Sequence, residues 1–142
     1  MIGSQDERLI ALLRRNARAS ISDLARALNL SRSTVQNRLE RLETRGVIQG
    51  YSVELGGDYA ARRVQAHVSI KVHQKLTVKV NAALEQLSHV TQLYSVSGEY
   101  DLIAIVEAQS LEQLSAVLDD IGNLDGVERT NSAVVLETRF RR

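Results

Sequence analysis

Residues 30–51 read LSRSTVQNRLERLETRGVIQGY, and this stretch decides the fold of the front half of the chain. A serine with N-cap chemistry, Ser31, opens an amphipathic helix of about four turns, which stops at Gly46 before a β-rich segment. Val35, Leu39 and Leu42 recur at the spacing of a core-facing stripe. At about 100° per residue, Ser33, Asn37 and Arg41 fall on the opposite side, with Thr34 and Gln36 on its flanks. Small hydroxyls, amides and guanidinium groups opposite a packed stripe are what a helix needs to lie in a DNA major groove.

The flanking sequence supplies the rest of a trihelical unit. Ser4 and Glu7 have capping-box spacing ahead of Leu9, Ile10, Leu12 and Leu13. Ser22 is placed to cap a second helix carrying Leu24, Ala25 and Leu28, and Asn29-Leu30 then makes a tight connection to the third. Two helices joined by so short a turn, the second presenting polar groups, form a helix-turn-helix. Val47–Leu55 reads as an extended wing strand.

Within this frame Ser31, Arg32, Ser33 and Thr34 sit at the recognition-helix N-terminus, where hydroxyls, free N–H groups and the dipole favour phosphate. Asn37 suits adenine, Arg41 suits guanine, and Gln36 offers a second amide. Arg38 lies nearer the buried edge, suited to a backbone phosphate or to an acid on a neighbouring helix.

Charge is divided along the chain. Residues 1–63 hold eleven arginines, no lysine and seven acids, whereas residues 64–142 hold seven bases and ten acids, so only the front half is matched to a polyanion. The net charge of +1 conceals this, and arginine also serves simply to solvate helices. A hydrophobic content of 44% with 25% charged residues is globular composition. The absence of cysteine excludes disulfides, thiolate metal sites and a cysteine nucleophile. No long apolar run or signal-peptide pattern is present, so a cytoplasmic protein without membrane association is expected.

Gly56-Gly57-Asp58 breaks periodicity. The expected organisation is a winged helix-turn-helix over 1–55, a linker over 56–63 and a second domain over 64–142. In the latter, Val64–Val72 alternates with apolar residues on even positions. Leu76, Val80, Ala83, Leu84 and Leu87 form a helical stripe, and 90–97 and 102–108 read as strands around the Gly98–Asp101 turn. Ser110 and Gln113 open a helix with Leu111, Leu114, Val117, Leu118 and Ile121 inward, and 127–138 is the last strand. The order βαββαβ is the ferredoxin-like unit, making the whole an α+β protein. The third strand is apolar at nearly every position, so its second face needs a cover that the chain lacks. A second copy packed sheet to sheet, in a homodimer, is the economical answer.

The chain resembles the Lrp/AsnC (leucine-responsive/asparagine-responsive, feast/famine) transcription regulators over most of its length, from Asp6 to about Arg139. The resemblance rests on Ile21-Ser22-Asp23-Leu24-Ala25, on residues 30–51, on Ser97-Gly98-Glu99-Tyr100-Asp101, on Asp125-Gly126-Val127 and on Val134-Val135-Leu136-Glu137. It implies double-stranded DNA as partner, dimers assembling further, often to octamers, and a small-molecule effector, usually an amino acid, with no cofactor. Gly98, Tyr100 and Asp101 correspond to the effector turn, and Thr130-Asn131-Ser132 offers Thr130 and Ser132 as further lining. Backbone N–H groups near a glycine suit a carboxylate and Asp101 suits an ammonium; the same turn also reads as a hairpin with Tyr100 packing and Asp101 capping backbone. Two features depart from the family pattern. Arg32 stands where many members have proline, and the chain starts almost at helix one, so no contact from an N-terminal arm is expected.

Two rival functions fit the same architecture. A sirohaem-decarboxylase-like enzyme would need histidine and arginine at a tetrapyrrole pocket, but His67, His73 and His89 are dispersed. A sensor or assembly module that does not bind DNA would leave the basic front half unexplained. No phosphate-binding glycine loop, zinc-ligand cluster or nucleophile–base set occurs, so neither catalytic nor metal residues are assigned.

Overall fold

The computed structural model describes residues 2–142, which fall into two compact units, one ending at Glu54 and the other running Leu55–Arg142. The first is a bundle of α1 (Ser4–Arg15), α2 (Ile21–Leu28) and α3 (Arg32–Thr44). Leu9, Leu13, Leu24, Ala25, Leu28, Val35 and Leu42 form its buried core, with Leu39 and Ile48 packed at the margin.

Two of the expected caps differ. α1 starts one residue early, with Gly3 as N-cap and no side-chain cap, so Ser4 lies inside the helix and the Ser4/Glu7 box does not form. α2 is capped by Ser20, whose Oγ accepts the Asp23 N–H at 3.1 Å, and Ser22 is its second helical residue. The α2–α3 connection is as tight as expected because Asn29 adopts a left-handed φ of 56°, a conformation asparagine tolerates. Ser31 caps α3, accepting the Thr34 N–H at 3.2 Å. Gly46, at φ 75°, follows the helix end.

The wing strand expected over 47–55 is not formed. β-branched and aromatic residues favour an extended chain, but a strand needs a ladder partner, and every other element of this unit is helical. Val53 accordingly stays 81% exposed. The expected loose linker over 56–63 instead contains a short helix, α4 (Gly57–Ala61).

The second unit runs β1 (Val64–Val72), a 3-10 turn (Gln74–Leu76), α5 (Thr77–Gln86), β2 (Val90–Ser95), β3 (Leu102–Ala108), α6 (Leu111–Gly122) and β4 (Val127–Val134). The four strands form one antiparallel sheet in the order β2-β3-β1-β4. The even residues of β1 and β3, from Ala66 to Ile70 and Leu102 to Ala108, are buried with Val80, Leu84, Leu114, Val117 and Ile121 of the helices. Odd residues therefore face the other way, Ile103 and Ile105 among them, and α5 and α6 do not cover that side.

Two strands end sooner than their apolar pattern. β2 closes at Ser95, opposite Leu102 at the start of β3. β4 closes at Val134, opposite Ala66, with one more bond from Val135 N–H to Gln65 O. α6 has the Ser110 cap, but Gln113 Oε1 reaches past Ser110 to accept the Gln109 N–H at 2.8 Å. Leu111, expected inward, is 65% exposed: at the first helical position it is carried clear of the sheet, and the buried stripe begins at Leu114. Gly126 (φ +98°) is irreplaceable for two reasons, since a Cβ there would lie 2.8 Å from both Leu76 Cβ and Val80 Cγ2.

Candidate functional site

The α3 helix buries Val35 and Leu42 and turns Ser33, Gln36, Asn37 and Arg41 to solvent. Among the described residues, Asn37 and Arg41 make no side-chain hydrogen bond or ion pair within the protein, so both amide edges and the guanidinium fork remain available. Gln36 is less free, its Nε2 lying 3.4 Å from Glu40 Oε1. At the helix start, Ser31 Oγ is 2.7 Å from Thr34 Oγ1 and 3.3 Å from Ser33 Oγ, so three hydroxyls converge beside unsatisfied first-turn N–H groups. Exposed Arg32 stands next to them.

Arg38 is placed differently. Its Nη1 donates to Asp6 Oδ1 of α1 at 3.1 Å, with the two side chains only 27% and 14% exposed. Of the two partners that the sequence allowed, it takes the acid of the neighbouring helix. Beyond the helix, burial and then the Glu43 carboxylate push the Tyr51 phenol above its usual range.

In the second unit the Gly98–Asp101 turn is held from two sides. Asp101 Oδ2 accepts the Val72 N–H at 2.8 Å and its own N–H donates to Ile70 O at 2.9 Å, so this carboxylate caps the end of β1. Glu99 pairs with Arg129 of β4 at 2.7 Å, and the same guanidinium lies 5.2 Å from the Tyr100 ring centroid. Glu99 and Arg129 are missed by sequence reasoning, because nothing in local periodicity relates two residues thirty positions apart. Gly98 has φ +114° and open space where a Cβ would project. Thr130 and Ser132 pair with Ile70 and Val68 on the helix-bearing face, while Arg129, beside Lys71, faces the opposite way. The fold thus gathers Gly98, Tyr100 and Asp101 but does not bring Thr130 and Ser132 to the Arg129 side of that turn.

Residues 65–142 match the Lrp/AsnC ligand-binding domain and residues 4–49 match a winged helix-turn-helix DNA-binding domain. The chain belongs to the Lrp/AsnC family. An uncharacterised HTH-type transcriptional regulator of Pyrococcus furiosus is 35% identical over 136 residues, 96% of this chain and 92% of the relative. The structure of Escherichia coli AsnC superposes with a TM-score of 0.87 at 26% identity, covering 100% of this chain and 97% of that one. A Neisseria meningitidis transcriptional regulator in complex with L-Met shares the fold (TM-score 0.87, 22% identity, 99% and 94% coverage).

As an Lrp/AsnC regulator the chain is a DNA-binding transcription factor with a small-molecule ligand-binding domain, and the enzyme and stand-alone sensor readings give way to that. The three histidines lie apart. His67 is exposed on the sheet, His73 is exposed beyond β1, and His89 Nδ1 is 3.1 Å from the Glu107 carbonyl oxygen. Among the described residues no helix is long and apolar enough to cross a membrane, and no group of three His, Cys, Asp or Glu could hold a metal ion.

Proposed function

We propose that this Lrp/AsnC protein is a cytoplasmic, dimeric regulator that reads a near-palindromic operator through α3 and answers to an amino acid bound in its second domain. Residues 1–55 act as the DNA-reading domain, 56–63 as the connection and 64–142 as the domain for dimerisation and effector binding. Asn37 and Arg41 read bases, Gln36 assists, and Ser31, Arg32, Ser33 and Thr34 hold phosphate. Arg38 acts indirectly, fixing α3 against α1. The observation that carries this reading is the unpartnered polar face of Ser33, Asn37 and Arg41 opposite a fully packed stripe.

Dimerisation through the sheet face that α5 and α6 leave uncovered is supported by half-buried Ile103 and by Tyr94, opposite it and 49% exposed. Dimers then associate further, to an octamer. A dimer is also required by information content, since one helix specifies too few base pairs for a genome. The effector lies at the Gly98, Tyr100 and Asp101 turn, without Thr130 and Ser132, which stand on the other face of the sheet, and the L-Met held by the Neisseria meningitidis fold neighbour favours an amino acid as its class.

The test is selection of duplexes from a random pool by the full-length protein, with light scattering on the same preparation. The reading requires half-sites about 10 base pairs apart or a multiple of that, and particles of dimer mass or larger. A monomer, or enrichment of no sequence, would overturn it.

A further inference from the structure

The sheet face that α5 and α6 leave uncovered carries an imidazole near its middle. β1 lies between β3 and β4, and His67 stands opposite Ile105 on one side and Ala133 on the other. Its neighbours along the strand on that face are Gln65 and Ser69, with Ile103 and Asn131 opposite Ser69, and β2 adds Gln92 and Tyr94. His67 is exposed, and among the described residues its ring has no hydrogen bond or ion pair, unlike His89 with its contact to the Glu107 carbonyl oxygen.

The charged groups of this face stand towards its two ends. At one end Glu107, opposite Gln65, has both carboxylate oxygens engaged, by Arg63 Nη1 at 3.3 Å and by Gln65 Nε2 at 3.4 Å. At the other end, beyond Ser69, Lys71 and Arg129 stand opposite each other, and Arg129 holds Glu99 at 2.7 Å. The phenol of Tyr94 is the remaining titratable group that the strands place on this side. An imidazolium at His67 thus shares its face with two cations and with a carboxylate that is already engaged. A second copy packed face to face across a two-fold axis brings the same set again: another His67, with Glu107 held by Arg63, Lys71, Arg129 and Tyr94. Stacked sheets pack about 10 Å apart, which leaves room for interdigitated side chains and not for a water layer. Such a layer tolerates a neutral imidazole and penalises a charged one.

We propose that His67 is a pH switch on the dimer: neutral, it is buried between the two sheets, and protonated, it drives them apart and withdraws the paired reading of half-sites. The proposal rests on the reading of the chain as a dimer packed through this face, and adds the regulation of that interface. The dimer binds fewer protons than the separated chains. Its stability is therefore complete at high pH and is lost as pH falls through the range in which a solvated imidazole becomes charged. With one such histidine in each copy, the dissociation constant rises by up to about a hundredfold per pH unit below that range.

The experiment is sedimentation of the full-length protein over a dilution series, reading the monomer–dimer step, with circular dichroism confirming the fold at each pH. From about pH 7.5 to about pH 5.5 the dissociation constant rises at least about tenfold. In His67→Gln, which carries no charge at either pH, it stays within about twofold, and His73→Gln behaves as the unsubstituted chain does. His67→Leu, also uncharged, repeats the measurement with an apolar side chain in place of the amide. A dimer indifferent to acid overturns the switch alone, as does equal weakening in His67→Gln and His67→Leu. Failure of both variants to dimerise at about pH 7.5 also overturns it, because a neutral side chain is all that this interface requires. An unsubstituted chain that is monomeric at about pH 7.5 overturns the dimer reading itself, and the switch falls with it.

Discussion

Arg38 is the recognition-helix residue that the structure pairs with an acid of a neighbouring helix, and its replacement by methionine separates a structural role from a DNA contact. Methionine keeps the apolar stem that packs along the helix and removes only the guanidinium. The Asp6 carboxylate, 14% exposed, then loses its partner at 3.1 Å. A hydrogen bond to a charged group is worth about 1.5–3 kcal/mol, and stranding a fully buried charge costs about 3–5 kcal/mol. Since the guanidinium side of this pair is 27% exposed and water can reach it, the expected loss is about 2 kcal/mol. Hydrogen exchange on the intact chain reads this locally: amides of α1 and α3 exchange about thirtyfold faster, and those of β1 do not change. Where the variant is still folded, the dependence of DNA affinity on salt keeps its slope. Unchanged exchange together with a slope reduced by about 0.9, the signature of one lost phosphate contact, would refute the reasoning.

Gly126→Ala combines a positive φ with two 2.8 Å approaches, so it should destabilise the second domain by about 2–5 kcal/mol in thermal melts, and a loss below 1 kcal/mol would mean that Leu76 and Val80 yield. Ser31→Ala should cost α3 about 1 kcal/mol by removing the Thr34 N–H acceptor, measured by exchange of the first-turn amides; no change would show that the hydroxyl is replaced by water. The Lys79 ammonium, by hydrogen bond and then by charge, holds the Asp125 carboxyl below its ordinary 3.8 against a smaller desolvation effect, with His73 adding to the lowering. A depressed folded pKa contributes stability above the unfolded value of about 3.9, and that contribution disappears as pH falls through the folded pKa. In Lys79→Met, carboxyl NMR should find Asp125 titrating closer to 3.8; an unmoved midpoint would show that another group lowers it.

What could be read from the sequence was whatever is repeated locally. Val64–Val72 alternates because one face is buried along its whole length, and the strand was found at both ends. The α3 stripe, its Ser31 cap and the Gly46 stop are likewise local signals. Ser20 and Ser22 carry the same cap chemistry two residues apart, and only the backbone turn at Ser20 decides between them. Strand length at Ser95 and the missing wing over 47–55 depend on where a partner strand lies, which periodicity does not encode. The candidate site divides in the same way. The polar face of α3 was legible from its helical spacing. The Arg129–Glu99 pair and the Asp101 cap on Val72 arise from chain crossings and register.

In the proposed function one helix, α3, divides base reading from backbone holding. Duplexes carrying every single base-pair change in the selected half-site, titrated with Asn37→Ala, Arg41→Ala and Arg32→Ala, measure it. Asn37→Ala and Arg41→Ala should each lose about 1–3 kcal/mol of discrimination, at a single position per half-site. Arg32→Ala should weaken all duplexes alike and flatten the salt dependence. If Asn37→Ala and Arg41→Ala also weakened every duplex equally, α3 would be holding the backbone without reading the sequence, contrary to the account.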